Sequence, residues 1–438
     1  MTGGSEYVRS VFTVILPYCD RYFLWNTMSG SVKKLKAKNA ASAVSEAREL
    51  FEAVQSSPAA MSEWIDSGFF VPGDRDELDV IEEDLRADHA GGFFRIMTTG
   101  ACNASCRYCY ILTEAGHMTN STAVRTAEFV ADRYERDPYR MPPLIEWFGG
   151  EPLMNPEAAD TICRQLSERN IPFSSRITTN GSLWTEERIH TAFRLWNLTA
   201  AQITLDGTAA AHESVKRLPP GSFDRIIWGI HRLIEEKIRV RIRINHFSVR
   251  YPEERALLDY LRREFSKIFS SAPEMLSVYV VPGYAAGICY PPETAHEVLS
   301  LAHEAASLKA VNGADGSLTA ELKEILPRRR HLACFACNPY NYTISPDGKL
   351  YNCTHNMTEA QCVGSVSDIS RDRDPADRAD HADHAVRKCF TGRKLPEACR
   401  ACSLLPVCLG GCPAGRMRIA PMTQCCMVKS ICVGANDL

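Results

Sequence analysis

Eighteen cysteines in 438 residues are spread so unevenly that they limit what this chain can fold into. Twelve lie between Cys334 and Cys432, and Cys102, Cys106 and Cys109 fall within eight residues. A disulfide scaffold suits small secreted domains that cannot build a core. This chain is long enough for two or three domains. Its start, Met-Thr-Gly-Gly-Ser-Glu, lacks a basic-then-apolar signal pattern. Apolar runs such as Phe12 to Leu16 are far too short to cross a bilayer. Closely spaced thiols in a chain expected to be cytoplasmic indicate metal or cluster ligation rather than disulfides. A net charge of -3 gives no reason to expect nucleic acid or an anionic membrane as partner.

From residue 92 to about 285, β-type apolar runs alternate with helical patterning. The runs are Phe93 to Thr98, Leu144 to Phe148, Ser175 to Thr179, Ala201 to Leu205, Val240 to Asn245 and Leu276 to Val281. Six such units predict an α/β fold, a parallel sheet curled into a partial (β/α)6 barrel. Ligands bind such sheets at the C-terminal strand ends. Polar and glycine-rich words stand there: Thr99-Gly-Ala-Cys102, Gly149-Gly-Glu-Pro152, Asn180-Gly181 and Asp206-Gly207.

Residues 1–85 read as a separate α+β unit. Val11 to Leu16 and Tyr22 to Trp25 are β-rich, broken by Pro17 and Asp20, and Ser31 to Leu35 returns as a strand. Ala40 to Val54 has helical spacing, with Ala43, Ala47, Leu50 and Val54 on one face. Met61 to Ile65 reads as a short helix, Gly68 to Val71 as a strand, and Asp74 to Glu83 as a solvated helix or linker.

Cys102-x3-Cys106-x2-Cys109 directly follows the first barrel strand. Three thiolates can hold a cubane [4Fe–4S] cluster and leave the fourth iron open to an external ligand. A zinc site normally pairs two Cys-x2-Cys knuckles, and no second pair is near in sequence. With Tyr108 before the third cysteine, this segment resembles the signature of the radical S-adenosylmethionine (SAM) superfamily. Gly149-Gly-Glu-Pro152 resembles that family's SAM-contacting element, and Thr179-Asn-Gly181 and Leu205-Asp-Gly207 match its later strand ends. The resemblance implies SAM bound through its amino and carboxylate groups on the open iron. One electron would then cleave it to methionine and a 5'-deoxyadenosyl radical that takes a hydrogen atom from substrate. It places Tyr108, Gly149, Gly150, Glu151, Pro152, Asn180 and Asp206 around the cofactor. Gly149 and Gly150 would let the backbone approach its methionine end.

Residues 330–438, preceded by a helical bridge over 286–329, resemble the SPASM extension of radical SAM peptide-modifying enzymes. The carrying residues are Cys337-x10-Gly348-x4-Cys353, then Cys399-x2-Cys402-x5-Cys408-x3-Cys412, then Cys425 and Cys426. That resemblance implies two auxiliary [4Fe–4S] clusters. Cys334, Cys337, Cys353 and Cys412 would hold one. Cys399, Cys402, Cys408 and either Cys425 or Cys426 would hold the other. The alternative is a zinc ribbon on Cys399 and Cys402. Cys19, Cys163 and Cys289 sit in apolar or strand-like contexts that suit a core. Cys362, Cys389 and Cys432 have no assignment.

The N-terminal hairpin and helices resemble the winged-helix-like element of peptide maturases, which takes the leader of a ribosomal precursor peptide as an added strand. The expected function is therefore a radical SAM oxidoreductase that installs a thioether or carbon–carbon crosslink in such a peptide, fed by an electron donor such as flavodoxin or ferredoxin. A sulfatase-type maturase producing formylglycine is the first alternative. Those relatives place an aspartate directly after the cysteine matching Cys353, where this chain has Thr354. A peptide epimerase is a second, and a zinc-binding peptide adaptor is the non-enzyme alternative.

Overall fold

The computed structural model describes residues 7–86, 92–106, 108–111, 116–137, 139–283, 292–309, 318–331, 334–338, 340–355, 357–368, 395, 397–409 and 432. In the N-terminal part, β1 (Tyr7–Arg9), β2 (Thr13–Tyr18), β3 (Arg21–Asn26) and β4 (Val32–Lys34) precede α1 (Ala40–Gln55), α2 (Pro58–Asp66), β5 (Phe70–Pro72) and α3 (Glu77–Arg86). β2, β3 and β4 form an antiparallel sheet, and β1 pairs with β5. β2 runs through Pro17, against expectation: Pro17 stands opposite Tyr22. β2 is an edge strand, where a missing N–H need not break a ladder. Cys19 and Asp20, with φ of 47° and 54°, make the two-residue turn between Tyr18 and Arg21. Cys19 is exposed there rather than in a core.

α1 starts at Asn39, whose side chain accepts from Ser42 N at 2.8 Å while Ser42 reciprocates to the Asn39 N–H. Its buried face is Ala43, Ala47, Phe51 and Val54, so Phe51 takes the place expected of Leu50. The sheet is covered on both sides. Ile15, Leu24 and Leu35 pack on α1 and α2, whereas Val14, Leu16, Phe23 and Trp25 pack on Leu322, Leu326, Leu404 and Val407. α3 is the helix expected there, but one face of it is docked rather than solvated. Ile81 is buried against Phe12, Leu405 and Leu409, and Glu82 takes a 2.6 Å ion pair from Arg400.

The barrel comprises β6 (Phe93–Thr99), α4 (Asn120–Arg136), β7 (Leu144–Gly149), α5 (Pro156–Glu168), β8 (Ser174–Thr179), α6 (Glu186–Arg194), β9 (Leu198–Thr204), α7 (Ala209–Lys216), α8 (Ser222–Glu235), β10 (Arg239–His246), α9 (Tyr251–Glu264), α10 (Ser266–Ser271) and β11 (Leu276–Pro282). All six expected strands are present, side by side and parallel in chain order from β6 to β11. Cys163 lies in the core, as its apolar context indicated. α11 (Pro292–Ala306) and α12 (Leu318–Ile325) follow, then β12 (Tyr342–Ile344), β13 (Lys349–Tyr351) and β14 (Cys362–Ser365).

These last three strands join the barrel sheet itself. β12 runs parallel to β6, pairing Tyr342, Thr343 and Ile344 with Phe94, Arg95 and Ile96, and extends the sheet to nine strands. Tyr342 stacks on Phe94 at 6.1 Å and meets Phe129 edge-on at 5.0 Å. The C-terminal cysteine segment is thereby built onto the first barrel strand. Among the described residues, no helix is long and apolar enough to cross a membrane.

Candidate active site

The cysteine loop leaves β6 at Thr99 and is held by main-chain bonds. Gly150 N donates to Thr99 O at 3.0 Å, Glu151 N to Ala101 O at 2.8 Å, and Ser105 N to Lys216 O at 2.9 Å. The loop backbone lies so close to the Gly149-Gly150 turn that side chains there would collide with it. A Cβ would sit 2.2 Å from Thr99 O at Gly149, where φ is +138°, and 2.2 Å from Ala101 O at Gly150. These glycines thus answer first to the loop, a demand the sequence reading had assigned to the cofactor.

Glu151 explains why the turn stays closed. Its side chain is wholly buried and accepts from Leu153 N at 3.1 Å, Thr179 Oγ1 at 2.6 Å and Asn180 N at 2.7 Å. Burial pushes its carboxyl above the ordinary carboxylate value, against these donors. It ties the ends of β7 and β8 together. Asn180 then donates to Asn103 Oδ1 at 2.8 Å, and Asn103 donates to Ser182 Oγ at 2.9 Å. Pro152 opens the turn after Glu151, and its carbonyl accepts from Thr98 Oγ1 at 3.2 Å.

On the other side, Asp206 is fully buried and gathers three donors. The Tyr108 hydroxyl donates to Oδ2, Lys216 Nζ lies 3.4 Å from Oδ2, and Asn245 Nδ2 reaches Oδ1 at 3.4 Å. Tyr108 therefore packs beneath the loop, its ring tilted on Phe247 at 5.6 Å. Burial works against the charge on Lys216, but Asp206 and Tyr108 prevail and its pKa is raised. His212 Nδ1 accepts from Asp206 N at 3.1 Å, and burial, reinforced by Lys216, pushes its pKa down to about 3. His212 is a neutral core residue, and Arg217 is exposed where α7 ends.

The three expected cluster ligands are brought together, close enough for Cys106 and Cys109 to act electrostatically on Cys102. Burial holds the Cys106 thiol above its usual pKa while Lys216 pulls the other way, so metal loading would release its proton. Cys102, Cys106 and Cys109 are free thiols, as are Cys19, Cys163, Cys362 and Cys402. Three Cys-x2-Cys pairs share one turn, in which the second cysteine N–H donates to the first cysteine carbonyl. The distances are 3.1 Å for Cys106–Cys109, 2.9 Å for Cys334–Cys337 and 3.1 Å for Cys399–Cys402. Cys334 and Cys337 thus share this main-chain bond with the other two pairs. Cys353 follows β13, and its sulfur accepts from His355 N at 3.4 Å. Cys432, unassigned in the sequence, packs against the apolar cluster that includes Leu404 and Trp25, as Cys402 also does. Cys289, Cys389, Cys412, Cys425 and Cys426 lie outside the described residues. Among the described residues, no three His, Cys, Asp or Glu side chains converge on one metal-ion position.

Below the loop, a cavity of about 770 Å³ runs into the barrel. Cys102, Cys106, Cys109, Gly149 and Gly150 line one end, and Glu146, Arg176, Gln202 and Arg243 lie within it. Glu146 is held between two strands' arginines, with Arg95 Nε at 2.5 Å and Arg176 Nε at 3.3 Å. The C-terminal segment reaches this wall. Arg95 Nη1 lies 3.5 Å from Thr354 Oγ1, and His355 stacks on Tyr110 at 3.7 Å. Sequence reasoning missed Glu146 and these arginines. The signal available was charge on alternate residues of apolar strands, as in Arg239, Arg241 and Arg243.

Residues 96–261 match the Radical SAM superfamily, so the chain carries a radical SAM domain on an α/β fold with a mostly parallel central sheet. The serine-type anaerobic sulfatase-maturating enzyme of Bacteroides thetaiotaomicron is 28% identical over 162 residues, covering 34% of this chain and 39% of that relative's length. Among solved structures, anSMEcpe with bound AdoMet and Kp18Cys peptide is 15% identical with a TM-score of 0.55, covering 73% of this chain and 89% of that one. Streptococcus suis SuiB bound to precursor peptide SuiA is 14% identical with a TM-score of 0.52, covering 97% of this chain and 99% of that one. At these identities the likeness is one of fold.

Proposed function

We propose that this protein is a radical SAM peptide maturase that oxidatively crosslinks a ribosomally made precursor peptide. The observation that carries the reading is the loop of Cys102, Cys106 and Cys109 above a 770 Å³ barrel cavity. The residues fit the cofactor pair in their donor chemistry: three free thiols stand on one loop, and that loop and the Gly149-Gly150 turn bound one end of the cavity. A four-iron cluster with SAM supplies one-electron cleavage and a carbon radical that abstracts hydrogen. The chain's own contribution is positional. Glu151 and Asn180 fix one side of the loop, Asp206 and Lys216 fix the other, and the barrel wall shields the chemistry from water.

The likeness to SuiB spans 97% of the chain, including the N-terminal sheet and helices. That supports residues 1–85 as the unit that receives the precursor's leader, added as a strand to a sheet edge. The shared turn of the Cys334–Cys337 and Cys399–Cys402 pairs supports two auxiliary [4Fe–4S] clusters with the ligands named above. Cys432 and Cys402 pack against the same apolar cluster, which makes Cys432 a third candidate, with Cys425 and Cys426, for the last ligand.

The sulfatase-maturase reading draws support from the 28% identity to the Bacteroides enzyme. Thr354 counts against it: beside Arg95 and the cavity wall it offers a hydroxyl where those relatives place a carboxylate base.

The test is anaerobic reconstitution followed by incubation with SAM, a reductant and the short peptide encoded beside the gene. The expected result is about 12 irons per chain, release of 5'-deoxyadenosine that Cys106→Ala abolishes, and a peptide lighter by two hydrogens. A two-hydrogen loss that reacts with hydroxylamine marks an aldehyde and gives the sulfatase-type reading instead. Unchanged mass with one solvent deuterium marks epimerisation. Zinc in place of iron, with no SAM cleavage, overturns the enzyme reading.

A further inference from the structure

Among the described residues, the barrel cavity is lined by more cationic side chains than acidic ones. Arg95, Arg176, Arg239, Arg241, Arg243 and Lys216 line it, against Glu146 and Glu274. Lys216 is answered by Asp206, and Arg95 and Arg176 share Glu146. Among the described residues, neither Arg241 nor Arg243 joins an ion pair. Arg243 donates from Nε to Asn245 Oδ1 at 2.8 Å, and Arg241 lies over the Tyr279 ring at 4.9 Å.

The strand register places these two arginines. Arg243 on β10 stands between Thr204 on β9 and Tyr279 on β11, two residues before Asn245, which itself reaches Asp206 beneath the cysteine loop. Arg241 is the next residue on the same strand face, farther from the loop. Two guanidiniums on one face of a concave wall, without an ion-pair partner among the described residues, create a positive potential that attracts an anion. The planar fork of arginine suits a carboxylate, which it can hold through two parallel bonds.

We propose that the peptide segment entering this cavity presents a carboxylate, and that Arg243, with Arg241 behind it, receives it. This rests on the reading that a peptide is the substrate, and it adds the chemical class of the group that enters. The carboxylate belongs to an acidic side chain or to the peptide's C-terminus. The cofactor's own carboxylate is the competing occupant.

Three N-acetylated glycine–alanine hexapeptides test this on the reconstituted protein with SAM present. One carries a central aspartate and an amidated end, one a central asparagine and an amidated end, and one a central asparagine and a free C-terminus. Binding is read by saturation-transfer NMR. At least one acidic peptide is expected to bind about tenfold more tightly than the neutral one, the scale of one charge-assisted hydrogen bond. Which of the two does so identifies the source. Arg243→Met is expected to erase the preference, and Arg243→Lys, which keeps the charge without the fork, to retain part of it. Equal binding of all three, no binding at millimolar concentration, or a preference that survives Arg243→Met overturns the proposal. So does a loss of SAM retention on dialysis of Arg243→Met, which would assign the arginine to the cofactor. Release of 5'-deoxyadenosine in the same preparation reports on the enzyme reading separately.

Discussion

The Thr27 hydroxyl donates a 2.5 Å hydrogen bond to the carbonyl of Ser403, 376 residues further along the chain. It marks the seam where the N-terminal sheet packs on the C-terminal cysteine segment. Trp25, fully buried, fills that seam against Leu322, Leu326, Leu404 and Val407. Trp25→Ala is expected to destabilise the protein by about 3–5 kcal/mol, as for other buried aromatic truncations. Denaturant unfolding measures the loss. Iron content should fall as well, because the packing around Cys402 and Cys432 is removed.

Glu151→Gln tests the clasp between β7 and β8. An amide nitrogen would face one of three donors now served by carboxylate oxygens. The expected cost is about 1–3 kcal/mol, the penalty of a buried donor left unpaired. With Asn180 loosened from the cysteine loop, 5'-deoxyadenosine release should drop at least as sharply as stability. A variant with unchanged release would show that the clasp does not position the loop.

Lys216→Met leaves Asp206 buried without its cation. Breaking a buried pair from one side costs about 3–5 kcal/mol, whereas removing both charges is far milder. The double variant Lys216→Met/Asp206→Asn should therefore be more stable than the single one. Melting temperatures of the four proteins in the cycle give the coupling directly.

His212 sets a pH dependence of stability. Its folded pKa is about 3, below the ordinary histidine value of 6.5. Between these values the unfolded chain binds a proton that the native state does not. Stability therefore falls as pH drops below 6.5, and the loss is complete near pH 3. From pH 7.5 to pH 5 this one group contributes a decline of about 2 kcal/mol. His212→Gln should remove that part of the slope. Parallel denaturant titrations of the two proteins at both pH values measure it.

The six barrel strands were legible in the sequence as β-branched or apolar runs, the first four of them ending in polar, glycine-rich words. The three-cysteine loop was legible because its cysteines are neighbours in the chain, so local spacing alone puts them on one loop. The same holds for the turn shared by Cys106–Cys109, Cys334–Cys337 and Cys399–Cys402. The effect of Pro17 and the docking of α3 were not legible for one reason: tolerance and burial depend on what lies alongside. An edge position makes the proline harmless, and Leu405 and Leu409 turn an acidic helix into a docked one. Tertiary structure alone decided that β12 adds to β6, that Thr354 meets Arg95, and that Arg241 and Arg243 share a cavity with Glu146. Those relationships join residues up to hundreds of positions apart. Their energy comes from burial and charge in a shared space, which no local pattern encodes.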